Sequence, residues 1–162
     1  MKLSSPAFTQ NSKIPSKYTC DGDNINPELE IENVPIGAKS LVLIMDDPDI
    51  PTEIKKMRGI EVFDHWVVFN IDPNTTKIYE NSLPENIGNG TVGKNSRGED
   101  KYTGPCPPPQ YLPKEHRYFF KLYAIDKMLD ITERATKKEV EEAIEGHVLA
   151  KAELIGKYEK NA

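Results

Sequence analysis

The chain has 162 residues, with 21 Lys and Arg against 26 Asp and Glu, so its formal net charge is −5. This length suits one domain with a real core, and we expect a single domain over residues 1–162. The acidic balance argues against nucleic-acid binding and against a polybasic membrane anchor. The longest purely apolar run is Leu41–Met45, and the amino-terminal residues contain no apolar signal segment. We therefore expect a cytoplasmic protein without stable membrane insertion.

Short strands dominate the pattern along the chain. Leu41–Met45 is a continuous apolar run typical of a central strand, and Trp66–Ile71 is rich in aromatic and β-branched residues. Arg117–Ile125 is a third strand, and Glu28–Glu32 and Glu153–Glu159 are weaker candidates. Alternation along the third strand, extended back by one residue, places one set of side chains on a common face: His116, Tyr118, Phe120, Leu122 and Ala124.

One helix is predicted near the carboxyl end. Thr136 and Glu139 have the spacing of a capping box. After them, side chains recur with helical periodicity and form one mainly apolar stripe, made of Val140, Ala143, Ile144, His147 and Val148. His147 is therefore expected to be a core or interface histidine. Many strands and one late helix predict a mostly β sandwich with a small peripheral helix.

The long segment Tyr79–Pro113 contains five glycines and a proline cluster but no clear periodicity, so we expect an ordered, functional loop. The chain has two cysteines, Cys20 and Cys106, which form no CxxC pair. In a cytosolic chain we expect both to be reduced thiols, with a Cys20–Cys106 disulfide as the alternative.

Polar residues stand at the ends of three predicted strands. Asp47 follows the first strand, His65 precedes the second, and His116 precedes the third directly after the rigid loop Gly104–Pro109. If these ends share one edge of a sheet, two imidazoles, a carboxylate and fixed backbone groups enclose a cavity that suits a small anion. The carboxylate would then orient one imidazole and favour its charged form.

Two catalytic alternatives stay open at this point. Two histidines and an aspartate could bind a metal, although they are not spaced as a metal motif. Cys106 with His65 or His116 could act as nucleophile and base in a hydrolase, although Cys106 lies between prolines with no helix start nearby. The chain has no Gly-x-Ser-x-Gly or Walker motif. We expect binding without catalysis and without a cofactor.

Four motifs stand in order along the chain: Asp47-Pro48-Asp49-x-Pro51, His65-Trp66-Val67-Val68-x-Asn70, Gly104-Pro105-Cys106-Pro107-Pro108 and His116-Arg117-Tyr118. Together they resemble the phosphatidylethanolamine-binding protein family, which includes the Raf kinase inhibitor proteins, and most closely its bacterial and archaeal branch. The resemblance runs from about Phe8 to Tyr158, which is nearly the whole chain.

The resemblance implies an antiparallel β-sandwich with a Greek-key sheet and a small anion pocket that accepts phosphate, acetate or a phosphoethanolamine head group. It also implies a cis proline in these loops. The positions that match the pocket motifs are Asp47, His65, Gly104, Pro105, Pro107, Pro108, His116 and Tyr118, with Pro107 and Pro108 at the rim. Eukaryotic members have Trp-His-His where this chain has Phe63-Asp64-His65, so Asp64 is expected to make the pocket mouth more acidic.

The function expected from these residues is capture of a phosphate- or carboxylate-bearing group by His65 and His116. The resemblance implies that this binding regulates a protein partner such as a kinase or a protease. Asp47 would orient a ring, Tyr118 would contribute its hydroxyl, and the Gly104–Pro108 segment would add backbone contacts.

The alternative function is a serine protease inhibitor that presents one of two loops, Glu80–Arg97 or Ile50–Ile60. The second loop contains the basic run Lys55–Arg58, which is interpreted as a solvated loop. The apolar strand faces and the helix stripe could also serve a homodimer.

Overall fold

The computed structural model describes residues 1–161, which form two β-sheets and two α-helices. The strands are β1 (Lys2–Ser4), β2 (Ser12–Lys13), β3 (Leu29–Glu32), β4 (Ser40–Asp47), β5 (Phe63–Ile71), β6 (Lys77–Ile78), β7 (Thr91–Val92), β8 (Glu115–Ile125) and β9 (Val148–Glu159). The helices are α1 (Thr52–Arg58) and α2 (Lys137–Ile144). Neither helix is long and apolar enough to cross a lipid bilayer.

Strand β4 lies in the interior of the larger sheet, whose order is β2-β9-β8-β4-β5-β7. All of its residues are buried, because its continuous apolar run is covered on both faces of the sheet. Its two neighbours are antiparallel to it, whereas β2 pairs with β9 in parallel. The smaller sheet has the order β1-β3-β6. The predicted mostly β fold is confirmed.

The two faces of the large sheet form two separate hydrophobic cores. Leu43 and Trp66 belong to the core that also contains Leu29 and other residues of the small sheet. Ile44, the next residue after Leu43, belongs to the core that packs beneath α2 with Val140. Alternation of side chains along each strand produces this division, and it decides which polar residues can meet on one face.

Helix α1 was not predicted from the sequence. It occupies Thr52–Arg58, inside the Ile50–Ile60 segment that we expected to be a loop. Pro51 precedes it, and Gly59 ends it with a φ of 65°. None of the residues of α1 is fully buried, so the segment has no apolar stripe that would indicate a helix.

Helix α2 is shorter than predicted. Thr136 caps it as expected, because its side chain accepts the N–H of Glu139. The helix ends at Ile144, and Gly146 reverses the chain with a φ of 79°. Val148 then begins β9 and pairs with β8 instead of extending the helical stripe, since the edge of the sheet offers it a ladder of hydrogen bonds.

His147 was predicted to be a core or interface histidine, and the structure shows that it does not lie in the core. Its side chain is 39% exposed, and its Nδ1 atom lies 2.8 Å from the Oδ1 atom of Asp126. The apolar stripe that suggested burial ends before it, because it lies beyond the last turn of α2.

Cys20 and Cys106 are joined by a disulfide, so the expectation of reduced thiols is wrong. The two segments lie side by side for reasons that do not involve sulfur. The N–H of Cys20 donates to the carbonyl oxygen of Pro105 at 3.1 Å, and the Tyr102 hydroxyl donates to the carbonyl oxygen of Tyr18 at 2.7 Å. Because the two cysteines are 86 positions apart in the sequence, only the folded chain reveals this proximity.

The Tyr79–Pro113 segment is held by buried side chains. Asn95, which is 5% exposed, accepts the N–H groups of Arg97 and Glu99 through its Oδ1 atom. The segment also contains strand β7 and a cis peptide bond between Leu112 and Pro113. These contacts position the residues of the segment that reach the cavity described next.

Candidate anion-binding site

A cavity of about 180 Å³ opens where β4 ends and β5 and β8 begin. Its wall includes seven of the eight predicted site residues: Asp47, His65, Gly104, Pro107, Pro108, His116 and Tyr118. Pro105 does not line the cavity, since it lies behind the wall and its carbonyl accepts the N–H of Cys20.

Strand direction explains why these residues meet. Because β4 is antiparallel to both neighbours, its end lies beside the starts of β5 and β8: Asp47 pairs with Phe63, and Asp46 pairs with Phe119. Alternation then puts Asp47 and His65 on the cavity face of the sheet, and Asp46 on the opposite face.

Asp64 lies away from the cavity, which corrects the expectation of an acidic mouth. It precedes His65 on β5 and therefore faces the other side of the sheet. There its Oδ1 atom lies 3.1 Å from the Nζ atom of Lys137, at the start of α2. The same Nζ atom lies 3.2 Å from Asp46. Burial raises the pKa of Asp64, while the Lys137 ammonium partly offsets this shift.

His116 and Asp47 form a buried pair. The Nδ1–H of His116 donates to the Oδ2 atom of Asp47 at 2.7 Å, and its Nε2–H donates to the carbonyl oxygen of Pro113 at 3.0 Å. Because a carboxylate and a carbonyl oxygen can only accept, His116 carries protons on both nitrogens. Asp47 thus orients an imidazolium ring as expected, but both N–H groups of His116 are engaged by protein oxygens, so neither points to a ligand.

His65 is held in one tautomer. Its Nδ1–H donates to the carbonyl oxygen of Thr103 at 2.7 Å. Its ring lies between Phe63 and Tyr118, with centroid distances of 4.7 and 5.2 Å. Burial lowers the pKa of His65, an effect larger than the opposing influence of Asp47. The ring is therefore neutral near pH 7, and its Nε2 atom is a hydrogen-bond acceptor.

Tyr118 contributes a buried hydroxyl that has no hydrogen-bond partner within residues 1–161. Burial raises the pKa of this phenol far above its usual value, so the oxygen keeps its proton and acts as a donor. An unsatisfied buried polar group costs about 1–3 kcal/mol. A ligand that accepts from this hydroxyl would recover that free energy.

Two guanidinium groups that the sequence analysis missed, Arg58 and Arg97, also line the cavity. Arg58 lies on α1, where it donates to the carbonyl oxygen of Ser96 at 2.9 Å and stacks over Phe63 at 5.1 Å. Both arginines are exposed. The basic run Lys55–Arg58 was a signal for the first, but nothing in the sequence distinguished Arg97. They supply the unpaired positive charge that the histidines do not, because His65 is neutral and the charge of His116 is offset by Asp47.

The rest of the wall is mainly apolar and consists of residues outside the predicted set: Ile50, Pro51, Ile54 and Phe63, together with Thr103 and Cys106. Three of these belong to or precede α1, so the helix that sequence reasoning overlooked forms one side of the cavity. Their signal, Ile50 directly before Pro51 and Ile54 three residues after it, is too common to indicate a site.

The proline loop shapes the wall more than it supplies hydrogen-bond donors. Prolines have no N–H, and the N–H of Gly104 donates to the Oδ1 atom of Asn24 at 2.7 Å. Within the Gly104–Pro108 segment, Cys106 is the one other residue that has a backbone N–H. A side chain at Gly104 would overlap the carbonyl oxygen of Tyr18, so this close approach requires glycine.

The geometry does not support either catalytic alternative. Cys106 is oxidised and therefore has no thiol that could act as a nucleophile. In the described part of the chain, no three His, Cys, Asp or Glu side chains form a group that could hold a metal ion. Asp47 and His116 do form an acid–base pair, but both ring nitrogens of His116 are hydrogen-bonded to protein oxygens.

Comparison with known proteins identifies the family of the chain. The family model described as phosphatidylethanolamine-binding protein matches residues 4–159. The chain belongs to the phosphatidylethanolamine-binding protein family. A similar relative, the UPF0098 protein of Methanothermobacter thermautotrophicus, is 48% identical over 99% of this chain and 99% of its own length.

Solved structures of the phosphatidylethanolamine-binding protein family share the fold. The crystal structure of the homologue CT736 from Chlamydia trachomatis has a TM-score of 0.88 and 41% identity, and the match covers 99% of this chain and 97% of that one. A carboxypeptidase Y inhibitor, solved with its cognate proteinase, has a TM-score of 0.58 and 18% identity over 99% of this chain and 83% of its own. At that identity the likeness shows the fold alone.

Proposed function

We propose that this chain binds a small anion or a phosphate-bearing group in the cavity, without catalysis, and regulates a protein partner through that binding. The observation that carries the proposal is the Tyr118 hydroxyl, a buried donor in the cavity wall without a protein acceptor. Natural proteins pair nearly all such groups, so an unpaired one beside a cavity indicates a ligand acceptor.

The charges around the cavity favour an anion. The carboxylate of Asp47 is offset by the imidazolium of His116, whose Nδ1 atom is 2.7 Å away. Arg58 and Arg97 then leave the cavity with a positive mouth. Exposed guanidinium groups pair well with phosphate and carboxylate oxygens because two N–H groups can donate side by side.

The partner is proposed to be a kinase or a protease, as members of this family act by binding. Of the two loops considered for protease inhibition, Ile50–Ile60 is occupied by α1, a cavity wall, and is not an extended loop. Glu80–Arg97 remains the segment of sufficient length for presentation, and Leu83 within it is 58% exposed.

The proposal is tested by titrating the protein with inorganic phosphate near pH 6, using calorimetry and amide chemical shifts. We expect saturable binding with shifts at His65, Gly104 and Tyr118. Arg97→Gln should weaken binding about 2- to 5-fold, the contribution of one exposed charge, and less at high salt. Arg134→Gln is the matched control, because Arg134 is exposed but does not line the cavity. Failure of the native chain to bind would refute the proposal.

A further inference from the structure

We propose that strand β9 pairs with the β9 strand of a second copy of this chain, so that the two large sheets join edge to edge in a two-fold symmetric dimer. The surfaces first considered for a homodimer, the apolar strand faces and the helix stripe, lie largely within the chain's own two cores. The edge of the large sheet is a separate surface. No residue of β9 lines the candidate anion-binding cavity, so the dimer leaves both cavities open.

Strand β9 is a partly open edge. It pairs with β8 along one side, whereas β2 pairs with only two of its residues on the other side. Cover on that side reaches Ile155, whose N–H donates to the Oε1 atom of Gln10 at 2.9 Å and whose carbonyl oxygen accepts the N–H of Asn11 at 2.7 Å. Towards the start of the strand, the regular ladder with β8 ends at Ala150, where the register shifts. The window of residues 150–154 therefore remains uncovered.

The backbone groups of Lys151 and Glu153 point out of the sheet within this window. Alternate residues of an antiparallel strand direct their N–H and C=O groups to the same side. Because Ile155 directs both groups away from β8, Glu153 and Lys151 do the same. These groups have no hydrogen-bond partner within residues 1–161, and β1, which lies near β9, pairs with β3 instead. Unpaired edge groups of this kind are a template for another strand.

The charges in the window select one register with a second copy. When Ala152 lies opposite Ala152 of the second copy, the window maps onto itself, and Lys151 of each copy lies opposite Glu153 of the other. A shift by two residues in either direction places Lys151 opposite Lys151 or Glu153 opposite Glu153. Opposite charges stabilise a cross-strand pair and like charges destabilise it. The charges therefore favour the register that is centred on the window.

The centred register also satisfies the open backbone groups of both copies. Each Lys151–Glu153 pair exchanges both of its N–H···O=C hydrogen bonds, as directly opposite residues of an antiparallel ladder do. The two Ala152 side chains meet at the two-fold axis, where a non-hydrogen-bonded pair brings the strands' side chains close together and small residues fit. Within its own chain, Glu153 pairs with Lys121 of β8. In the dimer its carboxylate thus lies between two ammonium groups.

The occupant of this edge is a second copy because the window is self-complementary. The uncovered residues, the alternating charges and the small central side chain are all arranged about Ala152. A two-fold contact of this kind uses the same patch on both chains and closes, so it does not grow into a fibre. An unrelated strand would need the same alternation of charge without the benefit of the symmetry.

The test measures the mass of the native chain by sedimentation and light scattering from micromolar to millimolar concentration, where we expect a monomer–dimer equilibrium. Lys151→Glu and Glu153→Lys each place like charges opposite one another at both pairs. Each variant should therefore associate at least about 10-fold more weakly. An equimolar mixture of the two variants should restore the dimer, because opposite charges again face each other at both pairs.

Lys157→Glu is the matched control. It reverses a charge on the same strand, in the part that β2 covers, and should dimerise like the native chain. Thermal unfolding of each variant shows whether the fold is kept. A native chain that stays monomeric up to millimolar concentration overturns the proposal and leaves the edge to an unrelated strand. A dimer that Lys151→Glu or Glu153→Lys leaves intact overturns it too, since the copies then meet through another surface. Folded variants whose mixture stays monomeric would show that the proposed register is wrong.

Discussion

Tyr118→Phe removes one oxygen from the cavity wall, and we expect the ligand-free variant to be more stable than the native chain. The hydroxyl is buried without a partner, whereas the ring packs in the main core. Removing an unsatisfied buried group recovers its desolvation cost, about 1–3 kcal/mol. For a chain of this length, each kcal/mol raises the melting temperature by about 2–4 °C, so the expected increase is about 2–12 °C.

Tyr102→Phe is the matched control for this change. Tyr102 is also buried, but its hydroxyl donates to the carbonyl oxygen of Tyr18 at 2.7 Å. The control therefore loses a formed hydrogen bond and should be destabilised by about 0.5–1.5 kcal/mol. The same substitution at two buried tyrosines is thus expected to change the free energy of unfolding in opposite directions.

The assay is urea unfolding and thermal unfolding in buffer without phosphate or carboxylate anions, with the disulfide kept oxidised. When the assay is repeated with saturating ethyl phosphate, the ligand should stabilise the native chain more than it stabilises the Tyr118→Phe variant, because the variant lacks the hydroxyl that donates to the ligand. The reasoning is refuted if Tyr118→Phe is destabilised as much as Tyr102→Phe, since the Tyr118 hydroxyl must then have a partner in the ligand-free protein.

Two further predictions concern contacts next to the cavity. Reduction of the Cys20–Cys106 disulfide should lower the free energy of unfolding by up to about 4.5 kcal/mol, because the unfolded chain regains the entropy of a loop with a sequence separation of 86. Urea unfolding with and without dithiothreitol measures this change. The stability of the Cys20→Ser/Cys106→Ser double variant should not respond to the reductant. Hydrogen bonds from Arg117 hold the pKa of Asp49 below its usual value, so this pair stabilises the fold above about pH 4 and the contribution is lost as pH falls through the lowered pKa. Asp49→Asn should cost about 1 kcal/mol at pH 7 and little at pH 2, and an equal cost at both pH values would contradict this assignment.

Local patterns were sufficient to predict most of the sheet. The run Leu41–Met45 is apolar at every position, and only a strand covered on both faces can bury it. The alternation after His116 predicts which side chains face inward, and β8 shows that pattern of burial. Antiparallel neighbours then bring Asp47, His65 and His116 to one cavity. This part was predictable because it depends on the period of a strand and on the order of strand ends.

Contacts between distant segments decided the chemistry of the cavity. The sequence could not show that His65 donates to Thr103, that His116 donates to Pro113, or that the Tyr118 hydroxyl has no partner. The sequence analysis therefore assigned anion binding to two imidazoles, whereas the structure places the available positive charge on two arginines.

Helix α1 and the disulfide also depend on contacts that local sequence patterns do not show. The residues of α1 are not fully buried, so the helix leaves no periodic signal, although it forms one wall of the cavity. Cys20 and Cys106 are brought together by backbone and tyrosine hydrogen bonds between segments far apart in the chain. The sequence alone determined the long central strands β4, β5 and β8, their faces and the cluster of motifs, because those depend on neighbouring residues. Only the tertiary structure decided which polar atoms remain available to a ligand, because that depends on partners that folding selects.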